Sequence, residues 1–140
     1  MTGKTPAPRI FYYFLRHYQT IDAIMEAALK EEGLTTGQYT ILSALKRFEP
    51  CTSAELARRQ GMTAQSMGAY LNTLEAKGLV ERSYLNGNRR DIIVRRSAKG
   101  IEVQEHCDAL IVEAEKTYLS TIPEEARDDF VRHLIMLYHR

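Results

Sequence analysis

One change of periodicity constrains this chain more than anything else in it. From Ile10 to Lys77 apolar residues recur at helical intervals, and from Lys99 they do so again. Between Leu79 and Arg95 the spacing turns β-favouring. Leu79 to Leu85 and Arg89 to Arg95 flank Asn86-Gly87-Asn88, and Asn-Gly is a strong turn signal because both residues tolerate positive φ. The spacing predicts one antiparallel hairpin with a basic rim, set into an otherwise helical chain.

Four helical stretches lead into that hairpin. Phe11, Phe14, Tyr18, Ile21, Met25 and Ala28 lie on one face of a helix over 10–29, and Gly33 ends or interrupts it. Thr35 or Thr36 caps a second helix carrying Tyr39, Leu42, Leu45 and Phe48, which Pro50 breaks. Thr52 or Ser53 caps a short helix to about Arg59. After the Gly61 turn, Thr63 starts another, to about Lys77, with Met67, Leu71 and Leu74 inside and Gly78 as its stop. Beyond the hairpin, Ile101, Gln104, Cys107, Ile111, Ala114 and Tyr118 trace a long helix. Pro123 opens a last one, where Phe130, Leu134, Leu137 and Tyr138 can pack.

Two short helices joined by a compact turn, with a basic hairpin directly behind them, form a winged helix-turn-helix. The first helix is Ser53–Arg59. The second, Thr63–Lys77, would lie in a major groove with its N-terminal residues at the base edges. Gln65 can pair with adenine through one donor and one acceptor, and the Ser66 hydroxyl bonds less selectively. Tyr70, Asn72 and Thr73 are further candidates on its wet side. On the wing, which carries Arg82, Arg89, Arg90, Arg95 and Arg96, Arg89 is nearest the tip and suited to a minor groove or its phosphates, while Arg90 is suited to bracing the wing on a local acid such as Asp91.

Charge agrees with this placement. The 140 residues carry a net charge of only +1. Between Lys46 and Arg96, however, ten Lys or Arg stand against five Asp or Glu. Cys51 and Cys107 are too far apart in sequence to suggest a metal cluster or a disulfide framework, and buried thiols are expected. No run is apolar enough to cross a bilayer, and Met1 to Arg9 reads as a loose arm, not a signal peptide, so a cytoplasmic protein with no membrane partner is expected. No phosphate-binding Gly loop, zinc-ligand spacing or nucleophile–base set is present; neither an enzyme nor a cofactor is expected.

From about Phe11 to Tyr138 the order of elements resembles the MarR family. The most informative run is TAQSMGAYLNTLEAKGLVERSYLNGNRRDIIVRRSAKG. Within it, LNTLEAKGLVER is similar to the family's passage from recognition helix to wing. Asn88-Arg89-Arg90 resembles its Asp-Arg-Arg, and Ser97-Ala98-Lys99-Gly100 its Thr-x-Lys-Gly. Three positions depart from the pattern: Asn88 replaces an acid, Ala69 a basic residue, and Arg96 an apolar one.

The resemblance implies a mainly α homodimer with a β-hairpin wing and a helical dimerisation frame. Residues 1–9 would be an arm, 10–36 a dimerisation and effector-site helix, 37–96 the DNA-binding lobe, and 97–140 the C-terminal dimerisation region. Phe11, Phe14, Leu119, Ile122, Phe130, Leu134, Leu137 and Tyr138 are the interface candidates. The implied function is repression at a palindromic operator on double-stranded DNA. The implied release signal is a small aromatic or lipophilic effector, for which Tyr13, His17, Tyr18, Tyr39 and Cys107 are candidate contacts. The competing reading is a small-molecule-binding dimer with weak or non-specific DNA binding, which Ala69 and Asn88 keep open.

Overall fold

The structure is a computed structural model. It describes residues 9–85 and 88–139, with side chains left out of the description from 85 to 91. Among the described residues, six helices and three strands follow one another along the chain. Helix α1 spans Ile10–Leu29, and a 3-10 turn over Lys30–Glu32 closes it. Helix α2, Thr36–Phe48, opens on a reciprocal capping box in which the Thr35 side chain accepts from the Gln38 backbone N–H and the Gln38 side chain accepts from that of Thr35. Of the two threonines considered, Thr35 is therefore the cap.

Strand β1, Cys51–Thr52, was not foreseen. It pairs antiparallel with β3, Asn88–Arg96, which also pairs with β2, Val80–Leu85, so the hairpin is part of a three-stranded sheet of order β1-β3-β2. Two residues give no readable periodicity, which is why β1 was missed.

Helix α3, Ser53–Arg59, is capped by Thr52, and helix α4, Ala64–Ala76, by Thr63. Between them Gly61 takes φ 63°, a left-handed conformation open to glycine at low cost. That turn lets the Met62 N–H reach back to the Ala57 carbonyl at 2.9 Å. The chain leaves β3 and enters helix α5, Ala98–Tyr118, through Ser97 alone. Ser97 donates from its backbone N to the Leu79 carbonyl and from its hydroxyl to the Gly78 carbonyl, and accepts from the Gly100 N–H. A side chain at Gly100 would run into the Leu79 carbonyl oxygen, which is why the helix can begin so close to the sheet.

The core lies where α2, α3, α4, the base of the sheet and one face of α5 meet. Leu29, Leu42, Leu45, Leu56, Met67, Leu71, Leu74, Val94 and Cys107 are wholly excluded from solvent. Truncating any of these leucines to alanine leaves a cavity, a loss of about 3 kcal/mol. Helix α6, Glu124–Tyr138, is different. Its apolar residues were expected to pack, yet none of its residues is buried within one protomer, and Tyr138 is 70% exposed. The first half of α1 is equally bare, with Phe11 82% and Tyr18 68% exposed.

Candidate nucleic-acid interface

Helix α4 is fixed by its apolar face and offers the opposite one. Met67, Leu71 and Leu74 are buried, so spacing alone turns Gln65, Ser66, Ala69, Asn72 and Thr73 outward, and all five are exposed. The Thr63 side chain accepts from the Ser66 N–H at 3.0 Å, which holds the first turn in place. Gln65 and Ser66 thus stand at a capped, solvent-facing helix start, the end that carries unpaired backbone donors.

The remaining sequence candidates divide. Thr73 is exposed, but its hydroxyl donates to the Ala69 carbonyl at 3.1 Å. Tyr70 does not stand on the wet side: its ring packs half-buried against the core, with its hydroxyl lodged over Gly37 at the start of α2, where a Cβ would collide with it. Arg89 and Arg90 belong to β3, but their side chains, like that of Asp91, lie outside the described residues.

The basic rim is smaller than the sequence suggests, because two of its arginines are used internally. Arg82 on β2 donates to the Asn72 amide oxygen at 2.9 Å and to the Gly68 carbonyl at 3.4 Å, joining wing to recognition helix. Arg96 ends β3. Its Nη2 and Nε donate to Glu49 Oε1 at 2.6 and 3.0 Å, its backbone N donates to Glu49 Oε2 at 2.7 Å, and its Nη1 donates to the Gln104 amide oxygen at 3.0 Å. Burial on its own would raise the Glu49 pKa and is the largest single influence on it. The Arg96 hydrogen bonds and charge together outweigh burial and hold the carboxyl below its usual range. Arg95 remains exposed, as do Lys46, Arg47, Arg58 and Arg59 in the same lobe, with Arg59 and Arg47 resting over the Phe48 ring at 4.3 and 5.3 Å.

A signal for Arg82 was present in the sequence. It shares a strand face with Val80, two residues away, and Val80 is an inward position. Arg96 stood where its apparent relatives carry an apolar residue, which marked it as inward too. Its partner Glu49, 47 residues earlier, was beyond any local pattern.

The effector candidates fall in two groups within a protomer. Tyr13 and Tyr18 are exposed on α1, and His17 Nδ1 lies 2.5 Å from the Tyr118 hydroxyl, joining α1 to α5. Tyr39 and Cys107 are inside the α2–α5 joint. The Tyr39 hydroxyl donates to Asp108, which Lys46 also approaches at 3.5 Å. Burial, followed by Asp108, pushes the Tyr39 pKa up. Cys107 is fully buried, and burial, reinforced by Glu32 and Asp108, pushes its thiol up to about 11. Two open grooves lie beside the 3-10 turn and the start of α5, lined by residues such as Glu32, Lys99 and Val103, and none of the five candidates lines either of them.

Comparison with known proteins agrees with this geometry. The sequence model described as "MarR family" matches residues 32–91, the stretch from the 3-10 turn into the wing. The HTH-type transcriptional repressor Rv2887 of Mycobacterium tuberculosis is 29% identical over 110 residues, 79% of each chain. The crystal structure of that MarR family protein in complex with DNA superposes with a TM-score of 0.78 at 27% identity, over 94% of this chain and 98% of the other. Its complex with salicylic acid gives 0.77 at 26% identity, with the same coverage.

Proposed function

We propose that this chain is a winged helix-turn-helix transcription regulator of the MarR family, which it matches over residues 32–91, and that it works as a homodimeric repressor at a palindromic operator. The observation that carries the reading is the exposed, Thr63-capped start of α4, with Gln65 and Ser66 facing outward and the β2–β3 wing braced beside it. Gln65 and Ser66 read base edges. Thr73 flanks them at the groove wall, Tyr70 supports the helix from its inner side, and Arg89 and Arg90 carry the wing's charge to the neighbouring minor groove or its phosphates. A related protein crystallised with DNA supports this arrangement.

The second copy is argued from bare apolar surface. A 15-residue helix with no buried residue gains too little from its own hydrogen bonds to persist in water. Phe130, Leu134 and Leu137 of α6 and Phe11 and Phe14 of α1 give a partner frame an apolar face to cover. Two-fold pairing there sets the two recognition helices about one helical turn of DNA apart.

Release by a small aromatic or lipophilic effector is part of the same proposal. Tyr13, His17 and Tyr18 on the frame, and Tyr39 and Cys107 in the joint to the reading lobe, bound the region where such a molecule would act. A related protein crystallised with salicylic acid supports the ligand class.

The test is retention of a genomic DNA fragment library by the purified protein, with the retained fragments sequenced and salicylate added in a parallel arm. A shared two-fold sequence, released by the acid, is the expected result. Retention without sequence preference favours instead a small-molecule-binding dimer with weak DNA affinity, for which Ala69 and Asn88 argue.

A further inference from the structure

The guanidinium of Arg82 sits where two parts of the reading lobe must agree. Val80 and Arg82 share one face of β2, and Val94, directly across from Arg82 on β3, is wholly buried, so the arginine stem runs along the apolar side of the sheet. From there its head crosses to α4. It meets the Asn72 amide oxygen at 2.9 Å and the Gly68 carbonyl at 3.4 Å, two groups one helical turn apart on the same helix face. Its Nε is buried with no partner among the described residues. An aliphatic residue would fill this place without that unmet donor, so packing does not explain the arginine.

We infer that Arg82 is a positioning residue for DNA reading: it fixes the angle between recognition helix and wing, so that major-groove and minor-groove contacts are made as one unit. The inference rests on the DNA-binding reading above. The pin lies between the two contact regions. Ser66 is six residues from Asn72, about 9 Å along the helix. Leu85 is three residues from Arg82, about 10 Å along the strand. A small rotation at the pin therefore moves the wing tip by a comparable arc relative to Gln65 and Ser66. Asn72 accordingly acts through Arg82, not on a base.

The experiment uses the full-length protein and the sequence recovered from the genomic library. Arg82→Met keeps the stem and removes the guanidinium. Asn72→Ala alters an exposed residue and leaves the buried stem intact, so it serves even where the first variant folds poorly. Each is expected to weaken binding about tenfold. Hydroxyl-radical protection should fade at the wing-flanked minor grooves while methylation protection persists in the central major grooves. Asn72→Asp, which gives Arg82 a charged acceptor, should restore the flanking protection. Amide exchange of β2 and β3 in the DNA-free variants should quicken while α2 stays slow. Parallel loss of both kinds of protection, or no change in either, overturns the inference. A wild-type protein that protects no sequence overturns the DNA-binding reading itself, an outcome that separates the two failures.

Discussion

Arg96 and Glu49 form a closed fork: both carboxylate oxygens of Glu49 are taken by Arg96, one by the guanidinium and one by the backbone N–H. The fork is largely buried, with the Arg96 side chain 11% exposed and that of Glu49 19%. It ties the end of α2 to the last residue of the wing, and Gln104 extends the tie to α5.

Because the Glu49 pKa is depressed in the fold, its stabilising share is fully present above the unfolded value and is lost as pH falls through the folded one. Glu49→Gln should cost about 2 kcal/mol near neutral pH, the range for hydrogen bonds to a charged group. In urea unfolding followed across acid pH, the wild-type and variant curves should converge once the wild-type carboxyl is protonated. A gap that stays constant down to the lowest pH would contradict the role given to the charge.

The cysteines should be inert in the native protein. Burial raises both thiols; with Glu32 and Asp108 adding to it, Cys107 reaches about 11, and Glu55 adds to the rise at Cys51. A colorimetric thiol reagent near neutral pH is expected to modify neither in the folded protein and both in denaturant. Rapid native labelling of either would contradict their burial.

Two glycines should respond to alanine in opposite directions. Gly100→Ala drives a Cβ into the Leu79 carbonyl and should lower stability by about 2–3 kcal/mol. Gly68, inside α4, has nothing within reach of an added Cβ, so Gly68→Ala should raise stability by about 0.5–1 kcal/mol. Thermal denaturation of the two variants decides the matter, and similar midpoints would mean that the helix–sheet junction is more yielding than its contacts imply.

The residues proposed to read DNA are separable by specificity and salt. Gln65→Ala and Ser66→Ala should relax base preference at the central positions of a recovered operator. Arg89→Ala should weaken all sequences alike and reduce the slope of log affinity against log salt by about one. A specificity change at Arg89 with an unaltered slope would reverse these assignments.

Most of the fold was legible because its signals are local. Caps at Thr35 and Thr63 and breaks at Gly61 and Gly78 each act within a few residues, while the expected Asn86-Gly87 turn lies outside the described residues. What the sequence concealed depends on partners far along the chain. Tyr70 has the polarity of a surface residue but is drawn inward because Gly37, 33 positions earlier, leaves space for its ring. The five rim arginines look alike in sequence, yet Arg82 and Arg96 are committed to Asn72 and Glu49. Strand β1 exists through its pairing with β3, which comes about 40 residues later. The base-reading residues are the least determined part, since a polar side chain on a helix looks the same whether it meets water or DNA.

The lone residue between β3 and α5 has a consequence for how such a chain can vary in length. Ser97 is held at its N–H, its hydroxyl oxygen and its hydroxyl proton, so the junction contains no slack to absorb an extra residue. One insertion there would advance α5 by a residue and turn it by about 100°. Gln104, Cys107 and Ile111 would then yield their places to Val103, His106 and Leu110, putting an imidazole where the fully buried Cys107 packs and removing the amide that Arg96 meets. Insertions and deletions are consequently excluded from this joint. The phase between the reading lobe and the frame is a fixed quantity, altered by bending and never by length.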